Sequence, residues 1–495
     1  MMNFEFEGTF FESSLETERS LIHNDQFEKW LKAHCKLEEF DVQEIPFSEL
    51  ENWGFVNDSE KLSHTSGKFF TIEGLRVRIE QGNILHEWEQ PIINQPEIGI
   101  LCFITRVIDG VRYFLVQAKM EPGNINVLQI SPTLQATRSN FTCVHKGKVP
   151  NYLDLFMAKD YKVVIDQLQT EQGGRFLKKR NRNLIIEIDH DIPVKDDFCW
   201  LTLRQVKDLM KRDNLINMDS RSVLSMIPLI EDSVALSLKK MTPIEFRSYV
   251  ESKGISDRGV EYINSYISEN ALHNMEEILS WMTNLKFVTQ IIIEKIPLRD
   301  LKNWTIGENE IHHVQKNRYF SVNAVKVKAG SREVTSWTQP LVKDSNVGLL
   351  AFVTKSIYGV LHFLVQGKVE PGNIDIVNRC LSGVLLEQNA ETRNAQAAIS
   401  CSNYEERKNA EDRPYLFDEI LSGKFEVLSD SLQSEEGGRF WKLQNRNMIV
   451  KAPDDFEIKE LDNYIWMTLA QVKEFMRFGK FNIEARSIVS SIDFK

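Results

Sequence analysis

A twelve-residue string, FLVQAKMEPGNI at Phe114–Ile125, returns 249 residues later as FLVQGKVEPGNI at Phe363–Ile374. A repeat of that length and period constrains the fold more than any composition. It means two copies of one domain, because a solenoid would need a shorter period and more copies. The match extends in both directions. Ile45-Pro46 and Asn52-Trp53 correspond to Ile296-Pro297 and Asn303-Trp304, and EWEQPIIN at Glu87–Asn94 corresponds to SWTQPLVK at Ser336–Lys343. Further on, nine of thirteen positions are identical between Glu171–Asn183 and Glu435–Asn447. Each copy closes with a helix opened by a capping box, Thr202 to Gln205 and Thr468 to Gln471, which leads to Arg221-Ser222 and Arg486-Ser487.

Within a copy, alternating strands, hairpin signals and short helical stretches define an α+β unit. Asp109-Gly110 and Tyr358-Gly359 mark equivalent hairpins. Ser63–Glu80 reads as a strand pair turning near Gly74, and VVIDQLQTEQGG reads as a helix stopped by its glycines. Glu-Pro-Gly-Asn at 121–124 suits a type II turn. The expected organisation is a loose arm over 1–24, repeat 1 over 25–232, a helical connector over 233–272 and repeat 2 over 273–495. Two such units can pack about a pseudo-twofold and form pockets between them.

The net charge is −11, from 71 acidic and 60 basic residues. That balance argues against nucleic-acid or membrane-surface partners and requires a local basic cluster for any anionic ligand. No apolar run approaches the roughly 18 residues of a membrane span. The six cysteines are scattered without metal-ligand spacing, so reduced thiols in a cytoplasmic protein are expected. Walker, dinucleotide, GxSxG and HExxH signatures are missing, and no metal or cofactor is expected.

Chemistry is expected first in the central stretch. Gln117, Lys119 and Glu121 share one strand face, and the turn aims Asn124 the same way. A solvated strand surface presents the same pattern. The following run adds Gln129, Thr133, Gln135, Thr137, Arg138 and Asn140. Neutral donors and acceptors of this kind suit a polyhydroxylated ligand, although a polar surface loop has the same composition. The basic segment Arg175–Asn183 is the candidate diphosphate site, with Arg175, Arg182 and Asn183 kept in both copies. Trp88 could stack on a base or sugar, or be a core tryptophan. His64, in a Ser/Thr/Gly-rich turn, could be structural or a proton carrier.

HTSGKFFTIEGLRVR, EWEQPIINQPEIGIL, QAKMEPGNINVLQISPTLQATRSN, TEQGGRFLKKRNRN and NMDSRSVLS together resemble the NDP-hexose 2,3-dehydratases, over about residues 25–230 and 275–492. The resemblance implies two tandem Nudix-like α/β/α domains, a homodimer and a dTDP-4-keto-6-deoxyhexose substrate. It also implies two nucleotide-sugar pockets per subunit, one working and one a remnant. The product would pass to an NADPH-dependent 3-ketoreductase. The Nudix metal signature is missing, so metal-dependent diphosphate hydrolysis is not expected. In this chemistry the C4 ketone acidifies the C3 proton, and the C2 hydroxyl then leaves. Glu121 or His64 would transfer protons, and Lys119 would stabilise the enolate or leaving group. Gln117, Asn124 and Gln135 would hold the sugar, and Arg175 and Arg182 the diphosphate. A non-catalytic nucleotide-sugar-binding protein is the alternative. After Asn373 the second copy diverges into IDIVNRCLSGVLLEQNAETRNAQ, which points to the first pocket as the working one.

Overall fold

A computed structural model describes residues 6–37, 40–81, 84–137, 149–315, 319–330, 335–344, 346–372, 381–382, 384–386, 415–459 and 461–495. The chain is mixed α+β, and each copy carries two sheets. In the first copy, strands Gly99–Ile108 and Val111–Met120 form a hairpin. Asp109 and Gly110 both have positive φ, 48° and 78°, as a tight two-residue turn between right-twisted strands requires. Tyr358 and Gly359 repeat this at 53° and 75°. Arg180–Glu187 runs parallel to Gly99–Ile108, and Lys162–Thr170 flanks it on the outside. The second copy builds the same arrangement from Gly348–Ile357, Val360–Gly367, Gln444–Lys451 and Glu426–Ser434.

The smaller sheets are exchanged between copies. Phe40–Ile45 of the first copy pairs antiparallel with Ser321–Ala329 of the second. Thr289–Ile296 of the second pairs with Thr71–Gln81 of the first. Each donated strand satisfies backbone groups that would otherwise form an open edge. The main core is likewise shared, with Phe114, Leu201 and Val223 packed in one cluster with Phe363, Met467 and Ile488.

Two buried arginines cross the seam reciprocally. Arg221 donates to Ser487 Oγ at 2.5 Å and to the Ser434 carbonyl. Arg486 donates to the Thr170 carbonyl at 2.8 Å and Ser222 Oγ at 3.2 Å. Two buried lysines do the same at helix ends, Lys207 on the Ser490 carbonyl and Lys473 on the Ser225 carbonyl.

Four local expectations are corrected. The arm is not loose: Thr9 caps a helix at Phe10–Leu15, and the Phe11 ring packs edge-on to Phe494 at 5.2 Å. The apolar side of that helix was hidden among polar neighbours. Gly74 lies inside the Thr71–Gln81 strand rather than at a turn, because a Cβ there would stand 2.6 Å from the Ile296 carbonyl of the exchanged strand. Lys162–Thr170 is a strand rather than a helix, held in the sheet by Arg180–Glu187. The Glu121–Asn124 turn closes with Asn124 N–H on the Glu121 carbonyl at 3.1 Å, but Gly123 is outside the positive-φ set, so the turn is not type II. Helices Asp232–Lys240, Pro243–Lys253 and Asp257–Ile267 occupy the connector, where the Tyr262 ring stacks on Phe363. Among the described residues no helix is long and apolar enough to cross a membrane.

Candidate functional site

Gly123 explains where the site forms. A Cβ at this residue would lie 1.6 Å from the Phe440 carbonyl, so only glycine lets the Glu-Pro-Gly turn dock on the second copy's Glu-Glu-Gly-Gly-Arg loop. Gly123 N–H donates to the Gly437 carbonyl at 2.8 Å, and Lys442 N–H donates to the Gly123 carbonyl at 2.8 Å. The reciprocal contact puts Gly372 of the second copy on Gly173 and Lys178 of the first, at 2.6 and 2.7 Å. Each pocket is therefore built from both copies. Tryptophan and glutamine pin the glycine loops from behind. Trp88 Nε1 donates to Gln90 Oε1 at 2.8 Å, and Gln90 Nε2 donates to the Gly174 carbonyl at 2.9 Å. Trp337, Gln339 and Gly438 repeat this at 2.9 Å in both bonds.

In the first pocket, Lys119 Nζ lies 3.1 Å from Glu121 Oε1, and Gln135 Nε2 donates to the same oxygen at 3.1 Å. Around this group stand Glu171 and Asp219 from the first copy and Glu436 from the second. Burial pushes the Glu436 carboxyl up to about 7; Arg439 and Lys179 oppose the rise, while Glu171 and Glu121 add to it. Burial, then Glu436, Glu121 and Glu171, raise Asp219 well above the usual carboxylate range. Glu171 is also raised, chiefly by burial, although Asn181 Nδ2 donates to it at 2.7 Å. Lys179 is lowered by burial despite its acidic neighbours. Carboxylates this close cannot all ionise in a low-dielectric pocket, so the cluster holds protons at neutral pH. Among the described residues, no group of three or more His, Cys, Asp or Glu is arranged to hold a metal.

The structure brings together Lys119, Glu121 and Gln135, with Asn124 at the docked turn. Asn124 Oδ1 would lie 2.0 Å from a Cβ on Gly437, so that glycine too is required by close approach. Gln129 reaches the seam, donating to Ser434 Oγ at 2.7 Å. Gln117 instead donates to Asp197 at 2.7 Å. Thr133 is buried, receiving Ile104 N–H at 2.9 Å and donating to the Leu115 carbonyl. Thr137 follows the Leu134–Ala136 strand, half-buried. Arg138 and Asn140 lie outside the described residues. His64 hydrogen-bonds Ser66 at 2.8 Å and packs edge-on to Trp53 and Phe69, on the sheet edge that also carries Phe70.

Four further expected ligand contacts fall elsewhere. Trp88 is buried among Leu75, Val77 and Ile92, so it is a core residue without a free face. Arg182 points to the opposite sheet face from Asn181 and forms a surface pair with Asp166, at 2.7 and 2.6 Å. Asn183 is fully buried and accepts Ser222 Oγ at 2.9 Å. Arg175 is displaced in a more informative way. Its guanidinium lies 4.1 Å over the Phe320 ring, facing the second copy's pocket. The equivalent arginine at the first pocket is Arg439, 4.4 Å over Phe70 and donating to Gln95 Oε1 at 3.1 Å.

The two pockets also differ in charge. Gln172 stands where the first pocket has Glu436, Asp344 where it has Gln95, and Leu443 where it has Lys179. Arg175 therefore faces a carboxylate, whereas Arg439 faces a neutral amide. Asp344 itself is pushed up to about 6 by burial, with Arg175 opposing. Sequence reading missed Glu171, Asp219, Glu436 and Arg439, and ranked Lys179 of the basic segment below its arginines. The signal for Glu436 and Arg439 was present in the Glu-Glu-Gly-Gly-Arg repeat, but nothing local says which copy's pocket that loop serves.

A pocket that gathers buried carboxyls, raised above their usual range, beside ammonium groups is suited to acid–base chemistry. The comparisons are specific. The chain belongs to the NDP-hexose 2,3-dehydratase family, which it matches over residues 24–227 and 275–492, a double match that fits a duplicated domain. It is 39% identical to a dTDP-4-dehydro-6-deoxy-alpha-D-glucopyranose 2,3-dehydratase of Saccharopolyspora spinosa, over 98% of this chain and 94% of the relative. Proteins of the same name from Amycolatopsis orientalis and Streptomyces violaceoruber are 37% and 36% identical. Those alignments cover 97% and 94% of this chain, and 92% and 96% of the relatives.

Proposed function

We propose that the protein is a hydro-lyase that removes the C2 hydroxyl of dTDP-4-keto-6-deoxy-D-glucose in deoxysugar biosynthesis. The product is a 3,4-diketo-2,6-dideoxy sugar nucleotide. The observation that carries this reading is the Lys119–Glu121–Gln135 constellation at the seam, in a chain related over almost its full length to 2,3-dehydratases. Glu121 takes the C3 proton, which the neighbouring C4 ketone acidifies. Lys119 offers its ammonium to the oxyanion that forms as the C3–H electrons move towards C4. Gln135 and Asn124 orient the sugar. His64, on the adjoining sheet edge, is the second candidate for proton transfer.

Arg439 is a better diphosphate partner than Arg175 or Arg182. It sits on an aromatic ring, donates to a neutral glutamine and is half-buried at the pocket. The chain is organised as two Nudix-like domains related by a pseudo-twofold, with the boundaries given above, and works as a homodimer. A 3-ketoreductase using NADPH traps the reactive diketone.

Incubation with dTDP-4-keto-6-deoxyglucose, a 3-ketoreductase and NADPH, followed by mass spectrometry, tests this. Loss of one water and gain of two hydrogens is expected. Substrate recovered bound but unchanged would replace the lyase with a binding protein.

A further inference from the structure

Protons that leave with the C2 hydroxyl need a donor, and the geometry points to Glu436, contributed by the second copy, as the general acid of the first pocket. The assignment rests on the dehydratase reading above. A Cβ built on Gly438 would lie 3.4 Å from Glu436 Oε1 and 3.9 Å from Glu121 Oε1. The two carboxyl groups therefore look onto one point, kept open by a glycine, from opposite sides of the seam. Gln129 lies at the seam with an Oε1 atom that is buried and has no hydrogen-bond partner among the described residues. That acceptor suits a sugar hydroxyl.

Three carboxyls in the cluster are raised, but Glu171 and Asp219 are 4% and 2% exposed, whereas Glu436 is only half-buried. Glu436 is thus the one of the three whose Oε1 faces the opening at Gly438 beside Glu121. The groups facing it are Glu121 and Lys119 from the central strand and turn, Glu171 and Lys179 from the first copy's loop, Asp219 from the Met218–Leu224 helix and Arg439 from its own loop.

The base takes the C3 proton, and its bonding pair passes through the enolate to form the C2=C3 double bond. The C2–O bond breaks with its pair on oxygen, and the Glu436 proton completes the departing water. Glu436 is left as a carboxylate; when the enol ketonises, C2 takes the proton held by the base and the 3-hydroxyl proton restores Glu436.

The second pocket has Gln172 at this position, and an amide cannot supply the proton. The second pocket is thereby left without an acid at this position.

The test is Glu436→Gln in the full-length protein, incubated with substrate in D2O. Exchange at C3 is followed by NMR and elimination by ketoreductase trapping. Expected is continued C3 exchange into unreacted substrate, with elimination lowered by about 10²–10⁴-fold. Elimination at the wild-type rate would overturn the assignment, as would joint loss of exchange and elimination in a folded variant that still binds dTDP. Should the variant fail to fold, the wild type carries the same test through its pH profile. Elimination should fall as pH rises above neutral while exchange into recovered substrate grows; a constant ratio overturns the proposal. Wild-type protein showing neither reaction would remove the dehydratase function itself, and this assignment with it.

Discussion

Glu121 and Gly123 lie two residues apart and do unrelated work. Glu121 is polarised between Lys119 and Gln135, and replacing it by glutamine keeps the shape while removing the base. We expect Glu121→Gln to lower turnover by about 10²–10⁴-fold in the coupled NADPH assay, with a melting temperature close to wild type. Gly123 supports the fold instead. Gly123→Ala forces a methyl into the Phe440 carbonyl, and overpacking of this kind typically costs about 1–3 kcal/mol. Gly67, with φ of 65° and open space around its Cβ position, is the control. Gly67→Ala should cost only about 1 kcal/mol from its backbone conformation. Urea unfolding midpoints compare the two, and an equal shift would mean that Gly123 is not set by the docking contact.

At the scale of elements, the strand carrying Trp337 and Gln339 belongs to the second copy but steadies the loop that supplies Glu436 and Arg439 to the first pocket. Gln339→Ala should therefore impair turnover more than Gln90→Ala, which loosens the loop bearing Arg175. Steady-state kinetics of the two variants decides this, and the opposite ranking would reverse the assignment of loops to pockets. This crossing also marks where sequence reading stopped. The hairpins were legible because Asp109-Gly110 and Tyr358-Gly359 state their own geometry. The capping boxes at Thr202 and Thr468 formed as read, each with both hydrogen bonds. By contrast, Gly74 and Gly123 look like turn glycines but are explained by a neighbouring backbone distant in sequence. Lys119 and Glu121 were legible as neighbours because strand alternation puts them on one face, whereas Gln135 entered only as one of a polar run. Glu171, Asp219 and Glu436 were not legible, since a carboxylate becomes acid–base machinery only when tertiary packing buries it beside others. Arg182 misled for a related reason: its retention in both copies reflects a surface pair, with Asp166 here and with Asp430 at Arg446.

For the whole molecule, stability should depend on the lysines inside the seam. Burial lowers Lys473 to about 7, with Lys207 and Arg477 reinforcing the shift, and lowers Lys207 to about 8. An unfolded lysine keeps its proton to about 10.4. Between those values the unfolded chain binds more protons, so the lysine contribution to stability rises with pH from about 7 upwards and is lost as pH falls through the folded values. Lys473→Met should flatten the rise of urea midpoint between pH 7 and 10; an unchanged slope would mean that Lys473 stays charged in the seam.

The exchanged strands also impose an order on synthesis. Phe40 pairs with Ala329, and Gly123 waits for Gly437, so the first copy emerges from the ribosome with one strand unplaced and its pocket without a wall. Translation must pass the Glu436–Arg439 loop before the first pocket can close. A protein so arranged has no useful half-product, and premature termination anywhere before the Glu436–Arg439 loop yields inert polypeptide rather than a weaker catalyst.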